Sequence, residues 1–334
     1  MSGTARGEWG AGHGYTIGRA LSAGEPDVTS SRAPDRLARP LANAMDDDDT
    51  GWRPEPLPAR SSRPSGPPDT WREHWFEHRE LLHLAGLTSH VALYFDRDMN
   101  RDAKRWLLPY LDDAWRYTKQ TYGDFGPDPL LYTVFHRDRH FGGHPGYYTD
   151  AMHDHRNTTD CGLQSYREDD ESVFGLVTHE IAHVVESVTN GCAGSPAFPI
   201  WGDSKWAEYF IHDVYVALGR HRWATHVANL FADGTDDFPR PGTRWFRDWW
   251  RPLRGSAGGG PQVMVRFFQL LAMHFPRGAD NRYTRDLTWG EYLHFTSGAA
   301  RGDITELARR AFGWPNEWNA ELECARAEFP AITY

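Results

Sequence analysis

The stretch that most constrains this chain is Thr178-His179-Glu180-Ile181-Ala182-His183-Val184-Val185-Glu186. Histidines four positions apart stand one above the other on a helix, so the pattern calls for a helix here with a polar cluster on one side. The flanking residues supply it: Val173, Val177, Ile181, Val184, Val185 and Val188 recur at helical spacing and share one face. His179, His183 and Glu186 fall on the other. This periodicity predicts a helix over 173–188 that is buried along its apolar side and lines a cleft with its polar side. An amphipathic helix with two solvated histidines has the same period.

Paired imidazoles at this spacing can reach a single zinc ion, with Glu180 placed beside a water on that ion. A catalytic zinc site takes three protein ligands and keeps one position open, so His179 and His183 need a third donor. Four acidic residues compete. Glu186 sits a turn beyond His183 and would have to fold back along the axis, which suits a supporting or solvated role. Asp203 precedes a helix and reads as its N-cap, although it stays open as a ligand. Asp213 falls near the apolar side of its helix, whereas Glu208 lies on the polar side of a helix that can pack antiparallel to the first. Glu208 is therefore the expected third ligand.

With Trp206-Ala207-Glu208-Tyr209-Phe210 downstream, His179-Glu180-Ile181-Ala182-His183 resembles the zincin superfamily and, within it, the gluzincin metallopeptidases. The resemblance covers Ser89 to the C-terminus, but its discriminating motifs are these two. It implies an α+β, thermolysin-like fold of two lobes, a mixed sheet plus active-site helix followed by a mainly helical half. It also implies one zinc ion per chain on His179, His183 and Glu208, with Glu180 as general base in the hydrolysis of a peptide or protein substrate. The spacing from His183 to Glu208 is longer than in the thermolysin-like members. Tyr147, Tyr148, His226 and Tyr283 are candidates, on residue type alone, for stabilising an oxyanion. A zincin-fold module that keeps a metal or a protein partner without catalysis is the rival, and the intact Glu180 argues against it.

The rest of the chain fits around this centre. Residues 1–68 are rich in Gly, Pro, Ser, Arg and Asp without an apolar period, which predicts a disordered leader. An N-terminal α+β lobe is expected over 69–191 and a helical C-terminal lobe over 192–334. Within the first, a helix is expected over Trp71–Leu84, strands over Ser89–Phe95, Leu130–His136 and Cys161–Tyr166, and a helix over 102–122. His136, His140, His144, His153 and His155 lie among turn residues without a fixed ligand spacing and read as loop and strand positions rather than a second metal site. Gly142 to Tyr148 reads as a strand edge bordering the cleft. Helices follow over 204–218, 222–231, 261–275, 288–296, 303–312 and 316–329, separated by a Trp- and Gly-rich loop over 240–260 whose tryptophans are expected in the core.

Composition narrows the function classes. A chain of 334 residues, 40% hydrophobic, can bury a sizeable core, and its formal charge of -10 offers no basic stripe for nucleic acid. No apolar run is long enough to span a bilayer, and Met1 to Arg19 lacks the hydrophobic segment of a secretion signal. Cys161, Cys192 and Cys324 are expected as free thiols.

Overall fold

The computed structural model describes residues 66–256 and 260–334. The expected leader lies outside these residues up to position 65. Six strands form one mixed sheet: β1 (Thr70–Arg72), β2 (Leu81–Leu87), β3 (Val91–Phe95), β4 (Leu131–Arg137), β5 (Gly142–Gly146) and β6 (Thr158–Leu163), in the order β1-β2-β3-β4-β6-β5. β3, β4 and β6 run parallel, while β1, β2 and β5 are antiparallel to their neighbours, so β5 is an edge strand. The fold class is α+β.

The alternation of side chains divides the sheet into two apolar faces. Val91, Leu93, Phe95, Leu131, Phe135 and Cys161 face the main core, beneath helices α1 (Lys104–Tyr122) and α2 (Glu171–Val188). Ala92, Tyr94, Tyr132 and Val134 face the other way and are covered by Trp71, Trp75 and Leu82. That second face explains a correction. Residues 71–84 do not form the expected helix but two strands joined by an irregular turn, because Trp71 and Trp75 are needed as a lid on the sheet. Their four-residue spacing imitates a helical repeat.

Beyond α2 the chain is helical, with α3 (Phe198–Trp201), α4 (Lys205–Ala217), α5 (His221–Asp233), α6 (Arg251–Gly255), α7 (Gln262–His274), α8 (Trp289–Ala300), α9 (Thr305–Phe312) and α10 (Asn316–Glu328). Thr288 opens α8 with a reciprocal capping box to Glu291. The Trp-rich passage is not a plain loop. Phe246–Trp250 forms a wide helical turn that runs into α6, and Trp245, Trp249 and Trp250 are buried in the main core. The three cysteines are free, and no helix among the described residues is long and apolar enough to cross a membrane.

Candidate metal centre

Asp170 caps α2, its side chain accepting the Ser172 N–H at 3.0 Å. Both sides of the helix are buried, every residue from Val173 to Val188, which removes the solvated-histidine reading. β5 and β6 cover one flank and α4 the other. His179 and His183 retain 4% and 6% exposure, with their Nε2 atoms 3.1 Å apart.

The carboxylate that meets them is Asp203. Its Oδ2 lies 3.6 Å from His179 Nε2 and its Oδ1 3.4 Å from His183 Nε2. The loop after α2 is tied back onto that helix: Ser195 Oγ and Trp201 Nε1 both donate to Glu186 Oε2 at 2.7 Å, and Trp206 Nε1 donates to the Ala182 carbonyl at 2.8 Å. Gly202 then turns the chain with φ of 59°, a conformation costly for other residues, and delivers Asp203 to the imidazoles. Glu208, the expected third carboxylate, is placed elsewhere. Its Oε1 accepts from Lys205 Nζ at 2.7 Å, and Lys205 also reaches Asp236 at 3.0 Å. An ammonium three residues earlier on the same helix face captures Glu208 locally.

Electrostatics follow this arrangement. Burial raises the Asp203 carboxyl, but hydrogen bonding to His179 and His183 outweighs it and leaves the group well below the usual carboxylate range. Burial depresses His179. On His183 burial acts the same way, yet Asp203 and Glu186 overcome it and hold the ring well above its ordinary value. Glu208 is pushed up by burial to about 7 against the opposing pull of Lys205.

Glu186 has a defined role on the far side of His183. His183 Nδ1 lies 2.6 Å from Glu186 Oε1, a carboxylate that can accept its proton, so Nε2 is the nitrogen turned toward Asp203. Glu180 lies beside the imidazoles at 3% exposure, its Oε2 without a hydrogen-bond partner, and burial pushes its carboxyl up to about 8. β5 touches it directly. A Cβ on Gly143 would stand 2.4 Å from Glu180 Oε1, so only glycine lets this edge strand approach so closely.

The donor set also fits a metal ion on geometry. Zinc–ligand bonds of roughly 2.0–2.1 Å arranged tetrahedrally put neighbouring ligand atoms about 3.3 Å apart. The two Nε2 atoms are 3.1 Å apart, and each meets a different oxygen of Asp203, His179 at 3.6 Å and His183 at 3.4 Å. Asp203 keeps 52% side-chain exposure, so the fourth side opens toward solvent. Of the tyrosines and histidine considered for an oxyanion, Tyr147 lies in the field of Glu186 and Glu180, whereas Tyr283 sits against Cys192 and His226 near Glu171.

Comparison with known proteins adds little. No family model matches the chain and no curated protein does. One solved structure that it is similar to is titled "Crystal structure of two domain M1 zinc metallopeptidase E323A mutant bound to L-arginine", at 10% identity and a TM-score of 0.25. The match covers 75% of this chain and 46% of that one, a likeness too slight to carry an argument, so the site must be read from its own geometry.

Proposed function

We propose that this chain is a zinc-dependent hydrolase of peptide bonds, with His179, His183 and Asp203 as metal ligands and Glu180 as general base in a two-lobed zincin arrangement. The observation that carries the reading is the convergence of two imidazole Nε2 atoms and a carboxylate on one point beside a buried glutamate whose Oε2 has no hydrogen-bond partner. A closed structural site wants a fourth protein donor and has no use for a base.

A zinc ion held there supplies a Lewis acid that polarises a carbonyl and acidifies water. The chain's own residues do the rest. Glu180 takes a proton at its free Oε2 as water attacks the peptide carbon, then returns it to the departing amine nitrogen. Glu186 keeps His183 in the tautomer that presents Nε2. β5 supplies an open sheet edge. Pro145 has no N–H to give β6, as suits an outward-facing position of the ladder, and Gly143 two residues earlier shares that direction, free to pair with an extended substrate.

Elemental analysis of purified wild type, Asp203→Ala and Glu208→Ala tests the assignment. Loss of one zinc equivalent in Asp203→Ala with retention in Glu208→Ala is expected. The reverse outcome makes Glu208 the third ligand, and no loss in either sinks the three-ligand site. Screening wild type against a peptide library completes the test, because a zinc-loaded chain that cleaves nothing is a binding module. Gly143→Ala should lower turnover by about 10- to 100-fold through displacement of Glu180, since errors of an ångström at a catalytic group cost this much. An unchanged thermal midpoint separates that effect from misfolding.

A further inference from the structure

The histidine-rich passage converges where no spacing predicts it. On the sheet face turned away from α2, Glu73, His78, His136 and Asp160 each bring a ligand atom within 4.8 Å of the others, and all four are buried. They come from the segment after β1, from β4 and from β6, so the cluster exists only in the folded sheet.

The donor atoms gather around one point. His136 Nε2 lies 2.9 Å from Glu73 Oε1 and 3.1 Å from Asp160 Oδ1, and His78 Nδ1 lies 3.7 Å from Glu73 Oε1 and 3.1 Å from Asp160 Oδ2. These contacts, which reach one oxygen of Glu73 and both oxygens of Asp160, bracket the value of about 3.3 Å between neighbouring light donors around one ion. Glu73 Oε2 already accepts the Glu80 N–H at 3.0 Å, while Oε1 has no hydrogen-bond partner and faces inward. His136 has no exposed surface, and neither ring nitrogen makes a hydrogen bond of acceptable geometry despite the short distances. Its Nδ1 is 3.4 Å from Asp96 Oδ2, so Nε2 is the nitrogen turned toward Glu73 and Asp160. Trp75 Nε1 donates to Asp160 Oδ2 at 2.8 Å, steadying a second donor.

We infer that Glu73, His78, His136 and Asp160 form a structural site for a divalent transition-metal ion, zinc foremost. Two imidazoles and two carboxylates suit zinc better than calcium or magnesium, which favour all-oxygen shells. Two buried carboxylates with neutral imidazoles carry a double negative charge that one divalent ion offsets. Four protein donors with no solvent-facing member make a closed site, in contrast to the open His179, His183, Asp203 triangle. The ion would pin the segment after β1 to β4 and β6, directly behind the edge strand that carries Gly143.

The test uses the full chain with His179→Asn and His183→Asn, which removes the first site, loaded with zinc and dialysed. One zinc per chain should remain, chelation with EDTA should remove it and lower the thermal midpoint, and adding Glu73→Gln should abolish it. Cobalt(II) in the same double variant should give the intense visible absorption of a four-coordinate ion, a readout that needs no change in the cluster. A double variant that holds no zinc and shows no such cobalt spectrum overturns the inference, and so does an ion that survives both Glu73→Gln and His136→Asn. In that second result the buried charges are balanced by protonated histidines instead. Because the first site is absent from this variant, failure here is distinct from failure of the peptidase reading.

Discussion

Replacing Glu180 by glutamine should lower turnover by about 10²- to 10⁴-fold while leaving zinc content and thermal midpoint unchanged. Glutamine has nearly the same shape, so the packing against Gly143 survives, and the amide keeps a polar group where Oε2 now stands alone. What disappears is the ability to accept a proton. Burial pushes the Glu180 carboxyl up to about 8 even against the opposing pull of His183, so the group is placed to exchange protons near neutrality. Steady-state kinetics with metal analysis on the same preparation is the measurement. Turnover within a few-fold of wild type would remove Glu180 from the mechanism.

A second large effect is expected at Arg254, which is not among the site residues. Asp213 is wholly buried on α4, where Oδ2 accepts from Tyr117 Oη at 2.6 Å and Tyr122 Oη at 3.2 Å, while Oδ1 pairs with the Arg254 guanidinium. Arg254→Met keeps the aliphatic stem but strands the carboxylate among phenols. Breaking a buried pair from one side costs about 3–5 kcal/mol, and because Arg254 is partly exposed about 3 kcal/mol is expected here. That is a large share of a total stability of roughly 5–15 kcal/mol. The denaturation midpoint should fall at constant slope, and adding Asp213→Asn should recover part of the loss. A midpoint that does not move would show that the tyrosines alone satisfy Asp213.

The two predictions differ in how far sequence led to them. α2 was legible because its apolar residues keep helical period over its length and the histidine pair rides on that period. Asp203 reads as a cap, a position that Ser204 takes in the structure, and as an open alternative for the ligand, but its arrival beside the imidazoles depends on bonds from Ser195, Trp201 and Trp206 that only tertiary folding makes. Glu208 has the right periodicity for a ligand, and in the structure its carboxylate pairs with Lys205. The strands around Trp71 and Trp75 were hidden because a lid on a sheet needs large apolar residues without a strict period of two. The donors His78 and His136 come together only through strand order, which no local spacing encodes. Asp213 gave a partial signal, an acidic residue near an apolar face, and its counterion lies on a distant helix.

Consecutive residues of β6 serve opposite faces of the sheet. Asp160 points to the four-donor cluster, and Cys161 faces the main core and pairs with Gly143 against Glu180. Because strand side chains alternate strictly, losing or gaining one residue just before Asp160 would send the acid into the apolar core and the thiol toward the histidines. Length variation should therefore be tolerated almost nowhere within Thr158–Leu163. This short strand acts as the molecule's ruler, and the two polar centres are kept in phase by counting residues rather than by touching each other.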